Sequence, residues 1–424
     1  MTNRLFCAMA ALLGFAPVAP SQVPIRALGR ITAVSPVTFA SIASVRPLPG
    51  RRVIVNDQVG RRLVMLDSTL TNAVVIADTT GATAKAYGSR AGGLIAFTGD
   101  SSLFADATAL ALLVIDGGGK IVRTIAAPLG PVSHGPRGLD YLVYYDAASD
   151  GLGNICLKWY EPLVLLPPPP PLAEPVVRRR DSLAMILRIN LQSKIMDTVA
   201  RLASPVSWVE GGASPSVLLQ RPISAEDGWA LLPDGTIAIV RVGDYHIDWV
   251  SPAGIRTASP KIQHQWERIT DSMKTALVDS ARAADSIRRA ALARTDSFVN
   301  ARGGRGRGGE PPSPEAVRAA LLAPVQRVVG TEELPDYRPP FVTTFDTTRA
   351  WVTRADADGN IWIRVNQTKP LPGGPVFDVV NRSGALIDRI QIPGGTTIIA
   401  FDRGAVYLVS REGDGYHLAR AGIR

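Results

Sequence analysis

Asp356-Ala-Asp-Gly-Asn-Ile-Trp-Ile363 joins a tight turn directly to a strand. Asp and Asn bond their own backbone in turns, and Gly adopts positive φ without steric cost. The β-branched and aromatic residues that follow favour an extended chain. The unit recurs five more times, as Gly50-Arg-Arg-Val-Ile-Val-Asn56, Asp100-Ser-Ser-Leu-Phe-Ala-Asp106, Gly153-Asn-Ile-Cys-Leu-Lys-Trp159, Gly235-Thr-Ile-Ala-Ile-Val-Arg241 and Gly404-Ala-Val-Tyr-Leu-Val-Ser410.

Most gaps between successive units fall near the roughly 40 to 50 residues of a four-stranded propeller blade. The two longer gaps each hold a foreign segment: the proline run 167–171 in one, a helical stretch in the other. Around the first unit, segments 39–48, 51–56, 61–67 and 73–78 alternate or run apolar between Gly, Asp and Asn turns, giving four strands. The last unit has only three strands, 396–401, 405–410 and 416–421, before the chain stops. An open edge strand is a hazard, so segment 29–34 is expected to supply the missing outer strand and close the ring. The expected fold is all-β: a six-bladed β-propeller closed by an N-terminal strand, with a helical insertion between blades 4 and 5. A β-sandwich with glycine turns is the alternative.

The turn and strand at 356–363 resemble those of NHL-repeat and TolB-like six-bladed propellers, although the copy at 100–105 lacks the Gly-Asn core. In the topology this resemblance implies, the loop between second and third strands and the loop between blades open on one face. Both long insertions then share that face and together would cap the channel mouth.

The insertion spans 261–340. Its first part, 261–299, changes to a helical period, with Ile262, Trp266, Ile269, Met273, Leu277, Ala284, Ile287 and Ala291 on one stripe and mixed charges opposite. Mixed charge and a thin stripe favour docking on protein over a membrane surface. Residues 302–309, RGGRGRGG, have nothing apolar to bury and suit a solvated linker. A short helix then starts at Ser313 and Pro314 and stops before Pro324. The proline run suits a stiff polyproline II spacer.

The first residues set the expected compartment. A positive charge at Arg4, an apolar run over 5–18 and small residues Ala19 and Ser21 form a secretory signal, too short to span a membrane. Residues 1–21 are therefore expected to be removed, leaving an exported propeller over 22–424, periplasmic or extracellular. Of the two cysteines, Cys7 and Cys156, only Cys156 then remains, so no internal disulfide is expected. The formal net charge of +9 favours anionic surfaces, but nucleic acid is a poor partner outside the cell.

Catalytic signals are sparse. The four histidines, His134, His246, His264 and His417, form no local metal motif, and no Gly-x-Ser-x-Gly elbow or phosphate-binding glycine loop occurs. His246 and His417 each follow a Tyr at the start of a third strand, which marks repeat positions. Asp356, Asp358 and Asn360 have calcium-loop spacing but no distal Glu, and they fall on the repeating turn. Neither metal nor cofactor is expected. Arg90, Arg137 and Arg338 precede inner strands, and the family topology puts such positions around the channel mouth. Guanidinium forks there could bind a small anionic ligand, or could tie neighbouring blades together. The expected function is a noncatalytic ligand-binding or protein-interaction scaffold, its partner a small anion, an envelope polymer or a protein. A lyase-like or lactonase-like propeller enzyme is the alternative, resting on fold analogy.

Overall fold

The computed structural model describes residues 23–89, 91–106, 108–126, 147–160, 178–181, 184–203, 207–210, 217–223, 225–302, 325–342, 353–367 and 371–424. Six antiparallel sheets form the blades of a propeller. Blade 1 is Ser44–Leu48, Arg52–Asp57, Arg62–Leu66 and Ala73–Ala77; blade 2 is Gly93–Ala96, Ser102–Asp106, Ala111–Ile115 and Ile121–Ala126. Blade 3 comprises Ala147–Ser149, Asn154–Tyr160, Ala184–Asn190 and Met196–Leu202, and blade 4 Gly228–Leu231, Ile237–Arg241, His246–Val250 and Arg256–Ala258. Thr353–Ala355, Ile361–Arg364, Val376–Val380 and Leu386–Gln391 make blade 5, and Thr396–Asp402, Ala405–Glu412 and Gly415–Gly422 begin blade 6. Each of the six repeated units is the turn into, and the body of, a blade's second strand.

Closure follows the expected route. Ile31–Val34 pairs antiparallel with Gly415–Gly422, Val34 opposite Ala419, as the outer strand of blade 6. An unforeseen strand precedes it: Ile25–Ala27 lies parallel on Leu386–Gln391 and gives blade 5 a fifth strand. Arg26 clamps it to Asp388 and donates to the Ile423 carbonyl at 2.8 Å.

A second strand is buried on both sides, which is why it reads as an apolar run. Val53 and Val55 pack toward blade 6 and Ile54 toward blade 2; Ile361 and Ile363 pack toward blade 4 and Trp362 toward blade 6. Every neighbouring pair of blades shares one such buried cluster. The turn at 356–363 owes its geometry to one carboxylate. Asp356 Oδ1 accepts from the Asp358 and Asn360 amides at 3.0 and 2.9 Å, and Oδ2 from Trp362 Nε1 at 3.0 Å. Gly359, at φ +81°, completes it. These oxygens serve the turn, in line with its structural reading.

Because strands alternate in direction, second-to-third and interblade loops emerge at one end of the ring. Three of them meet. Arg178–Asp181 from inside blade 3, Ser207–Glu210 and Val217–Gln220 from between blades 3 and 4, and Val325–Val328 from between blades 4 and 5 pair as one further four-stranded sheet. Helix α1, Asp271–Arg302, packs beside its last strand through Val278, Val328, Val329 and Leu334.

The helix differs from expectation in two respects. It begins at Asp271, where the Thr270 hydroxyl accepts from the Met273 amide at 3.3 Å, so Ile262 and Ile269 are buried from extended chain. Its packed face runs through Lys274, Val278 and Asp285, while Ile287 is 72% exposed. The alanine-rich stripe offered little area to decide the facing, and the Lys274 stem is buried with its ammonium on Asp336 at 2.7 Å. The proline run, the 302–309 linker beyond Arg302, the helix expected from Ser313 and the signal segment lie outside the described residues.

Cys156 is 1% exposed in the interface between blades 3 and 4. Burial, reinforced by Asp150, pushes its thiol up to about 12, so the reactive thiolate is suppressed at neutral pH. Native protein at pH 8 is expected to leave a chromogenic disulfide reagent unreacted, with stoichiometric labelling once denaturant is added.

Candidate functional site

A cleft of about 1480 Å³ lies beside the chain that links blades 4 and 5, lined by Lys261, Ile262, Gln263, His264 and Gln265 from that linker. Asn366, Gln367, Leu386 and Arg389 of blade 5 complete it, with Ile25 of the added N-terminal strand and Val23 just before it. Apolar walls with a few convergent polar groups are the usual make-up of a ligand site.

Arg389, the arginine of the cleft lining, is held from behind by a relay across the blade interface. Asp378, 1% exposed, lies opposite Arg389 on the neighbouring strand and accepts from Arg389 Nε at 2.9 Å. Tyr245 of blade 4 reaches over to donate its hydroxyl to the same carboxylate at 2.8 Å. Burial first, and the adjacent Asp378 charge second, hold the Tyr245 hydroxyl well above its ordinary range, so it stays a proton donor. Its backbone has φ +50°, an uncommon conformation for a bulky side chain.

His264 stands edge-on to Tyr245 at 5.7 Å and to Trp266 at 5.5 Å. Burial lowers its pKa, Asp378 pulling the other way and Arg389 adding to the lowering, so the imidazole is neutral at physiological pH.

The arginines singled out from the sequence fare differently. Arg90 and Arg137 lie outside the described residues, as does His134. Arg338 donates from Nε to Glu267 at 2.9 Å and from its amide to the Glu267 carbonyl at 2.9 Å, tying two stretches of the interblade insertion. His246 opens the third strand of blade 4 between Asp244 at 2.5 Å and Asp248 at 3.1 Å; His417 lies in the third strand of blade 6 against the Ser35 carbonyl at 3.4 Å. Both occupy repeat positions. Sequence reading missed Arg389 and left His264 without a role, since their partners come from other strands and another blade.

Comparison with known protein families finds no match, and none is found among curated proteins. Solved structures do show likeness. A calcium-binding protein, regucalcin, from Agrobacterium tumefaciens covers 94% of this chain and 97% of its own at 11% identity, with a TM-score of 0.39. A gluconolactonase from Xanthomonas campestris covers 96% and 99% at 13% identity, TM-score 0.35. Streptogramin B lyase covers 92% and 96% at 10% identity, TM-score 0.36. The six-bladed assignment stands on the strand pairing itself.

Proposed function

We propose that this protein is an exported, noncatalytic binding module: a rigid ring that holds its ligand in the cleft between blades 4 and 5. The observation that carries this reading is the cleft itself, an apolar-walled space whose polar groups are held from two blades at once. The further sheet assembled from three loops of one end supports it, because binding elements concentrate on loops that a rigid scaffold positions. The turn at 356–363 supports kinship with NHL-repeat and TolB-like propellers. Arg90 and Arg137 remain proposed anion contacts at the channel mouth, and Arg338, whose Nε is engaged by Glu267, would join them through its terminal nitrogens.

The enzyme alternative requires convergent acid, base or metal-ligating groups. Among the described residues no group of three His, Cys, Asp or Glu side chains is placed to hold a metal, and Cys156 is a neutral buried thiol.

A thermal-shift screen of small metabolites tests the reading. A true ligand at a hundred times its Kd should add about 2.7 kcal/mol of stability. Ala385→Trp, which projects an indole into the cleft from an exposed position, should abolish that gain with the unliganded melting temperature unchanged. Chemical conversion of the ligand during incubation would instead establish the enzyme alternative.

A further inference from the structure

We infer that the cleft takes a small carboxylate with an apolar body, its carboxylate docked on the free edge of the Arg389 guanidinium. This rests on reading the cleft as the ligand seat and names the chemistry of its occupant.

The ionisable side chains lining the cleft are Lys261, His264 and Arg389; no carboxylate is among the described lining residues. Arg389 meets Asp378 through Nε alone, and no described residue accepts from its two terminal nitrogens. Other paired arginines of the ring are used more fully. Arg241 bridges two carboxylates, Asp248 from Nε and Asp227 from a terminal nitrogen, each at 2.7 Å. Arg188 grips Asp197 through two nitrogens and reaches the Pro252 carbonyl with a third.

Arg389 therefore presents a planar fork with one position filled and its orientation fixed. The Asp378–Tyr245 relay holds it before any ligand arrives, which lowers the ordering cost of a bidentate carboxylate contact. Asp378 opposes a second carboxylate nearby. Lys261, 71% exposed at the cleft wall and 3.4 Å from Asp244, offsets part of that repulsion, and the Tyr245 hydroxyl spreads the Asp378 charge. The Arg241 arrangement has the same stoichiometry of one guanidinium to two carboxylates.

The rest of the cleft favours an apolar body. Ile25, directly opposite Arg389 in the strand register, together with Val365, Val376 and Leu386, forms its walls. The space exceeds the roughly 300–1,000 Å³ of common ligand pockets, so a chain or fused rings can lie beyond the docked head. His264 is held neutral and adds no third cation there.

The test is calorimetric titration of the full mature chain with decanoate and with 1-decanol, both below the concentrations at which they self-associate. Decanoate is expected to bind at least tenfold more tightly than decanol. Arg389→Gln, which keeps an amide N–H for Asp378, should weaken decanoate tenfold or more and leave decanol unchanged, and Ala385→Trp should abolish both. Because Arg389→Gln alters a buried pair, its circular dichroism and melting curve are recorded first; the wild-type comparison of the two probes stands without it. Equal binding of both probes, lost in Ala385→Trp, overturns the carboxylate inference and leaves the cleft as a ligand seat. Decanoate binding that survives both substitutions overturns the inference and the cleft reading together, and no binding of either probe overturns the inference alone.

Discussion

Deleting residues 23–34 is expected to open the ring and destabilise it by on the order of 5 kcal/mol, close to the whole net stability of many domains. The deletion removes the outer strand of blade 6 and the fifth strand of blade 5. It also removes the Arg26 clamp onto Asp388 and Ile423, and Leu28 and Ala33 from the clusters on either side of blade 6. Several backbone hydrogen bonds at roughly 1 kcal/mol each and the lost apolar burial make up the estimate. Gly415–Gly422 would then face solvent as an unpaired edge, so light scattering should rise on warming. A point substitution offers an independent check. A Cβ at position 29 would lie 2.5 Å from the Gly422 carbonyl oxygen and 2.9 Å from that of Arg424, both backbone atoms, so Gly29→Val should reproduce part of the loss. Truncated protein melting as a cooperative monomer within about 2 °C of the intact chain would show that closure lies elsewhere.

Trp362→Ala should cost about 3–5 kcal/mol, the range for removing a fully buried large aromatic. Trp362 is 1% exposed, packs against Phe377 and Phe401, and gives its indole N–H to Asp356. Urea denaturation midpoints measure it. Asp356→Ala should cost about 1–3 kcal/mol, because it leaves a buried indole N–H and two turn amides unpaired. In a Trp362→Phe background, where no indole N–H remains, the same change should cost less. Strictly additive losses would mean that the carboxylate and the indole act independently.

Much of the fold was legible because the decisive strands are buried on both faces and follow a fixed turn. Val53, Ile54 and Val55, or Ile361, Trp362 and Ile363, carry that signal within seven residues. Closure was legible too, since a blade with three strands needs a fourth. The rest depends on distance along the chain. Ile25–Ala27 is three residues long and has no periodicity to show. The further sheet is built from strands of four residues each, separated by long segments, and only the folded ring brings them together. The same holds for the site. Arg389 reads as one more outward residue in an alternating strand, and its meaning comes from Asp378 beside it and from Tyr245 on another blade. His264 was visible as a histidine, but nothing near it in sequence reveals that it lines a cleft. The facing of α1 was misjudged because a lysine stem, Lys274, does the packing that an apolar stripe was expected to do.

The pairing of Ile31–Val34 with Gly415–Gly422 also fixes an order of assembly. Its two partners lie near opposite ends of the described chain, so no ribosome-bound fragment lacking the last blade can make it. The entropic cost of such a long loop is met only when the other blades have already drawn the ends together. Until then the molecule is an open fan of sheets with bare edges, the kind of species that self-associates. Refolding from denaturant should therefore be slow and sensitive to protein concentration, a property written into the connectivity of the ring and independent of any single side chain.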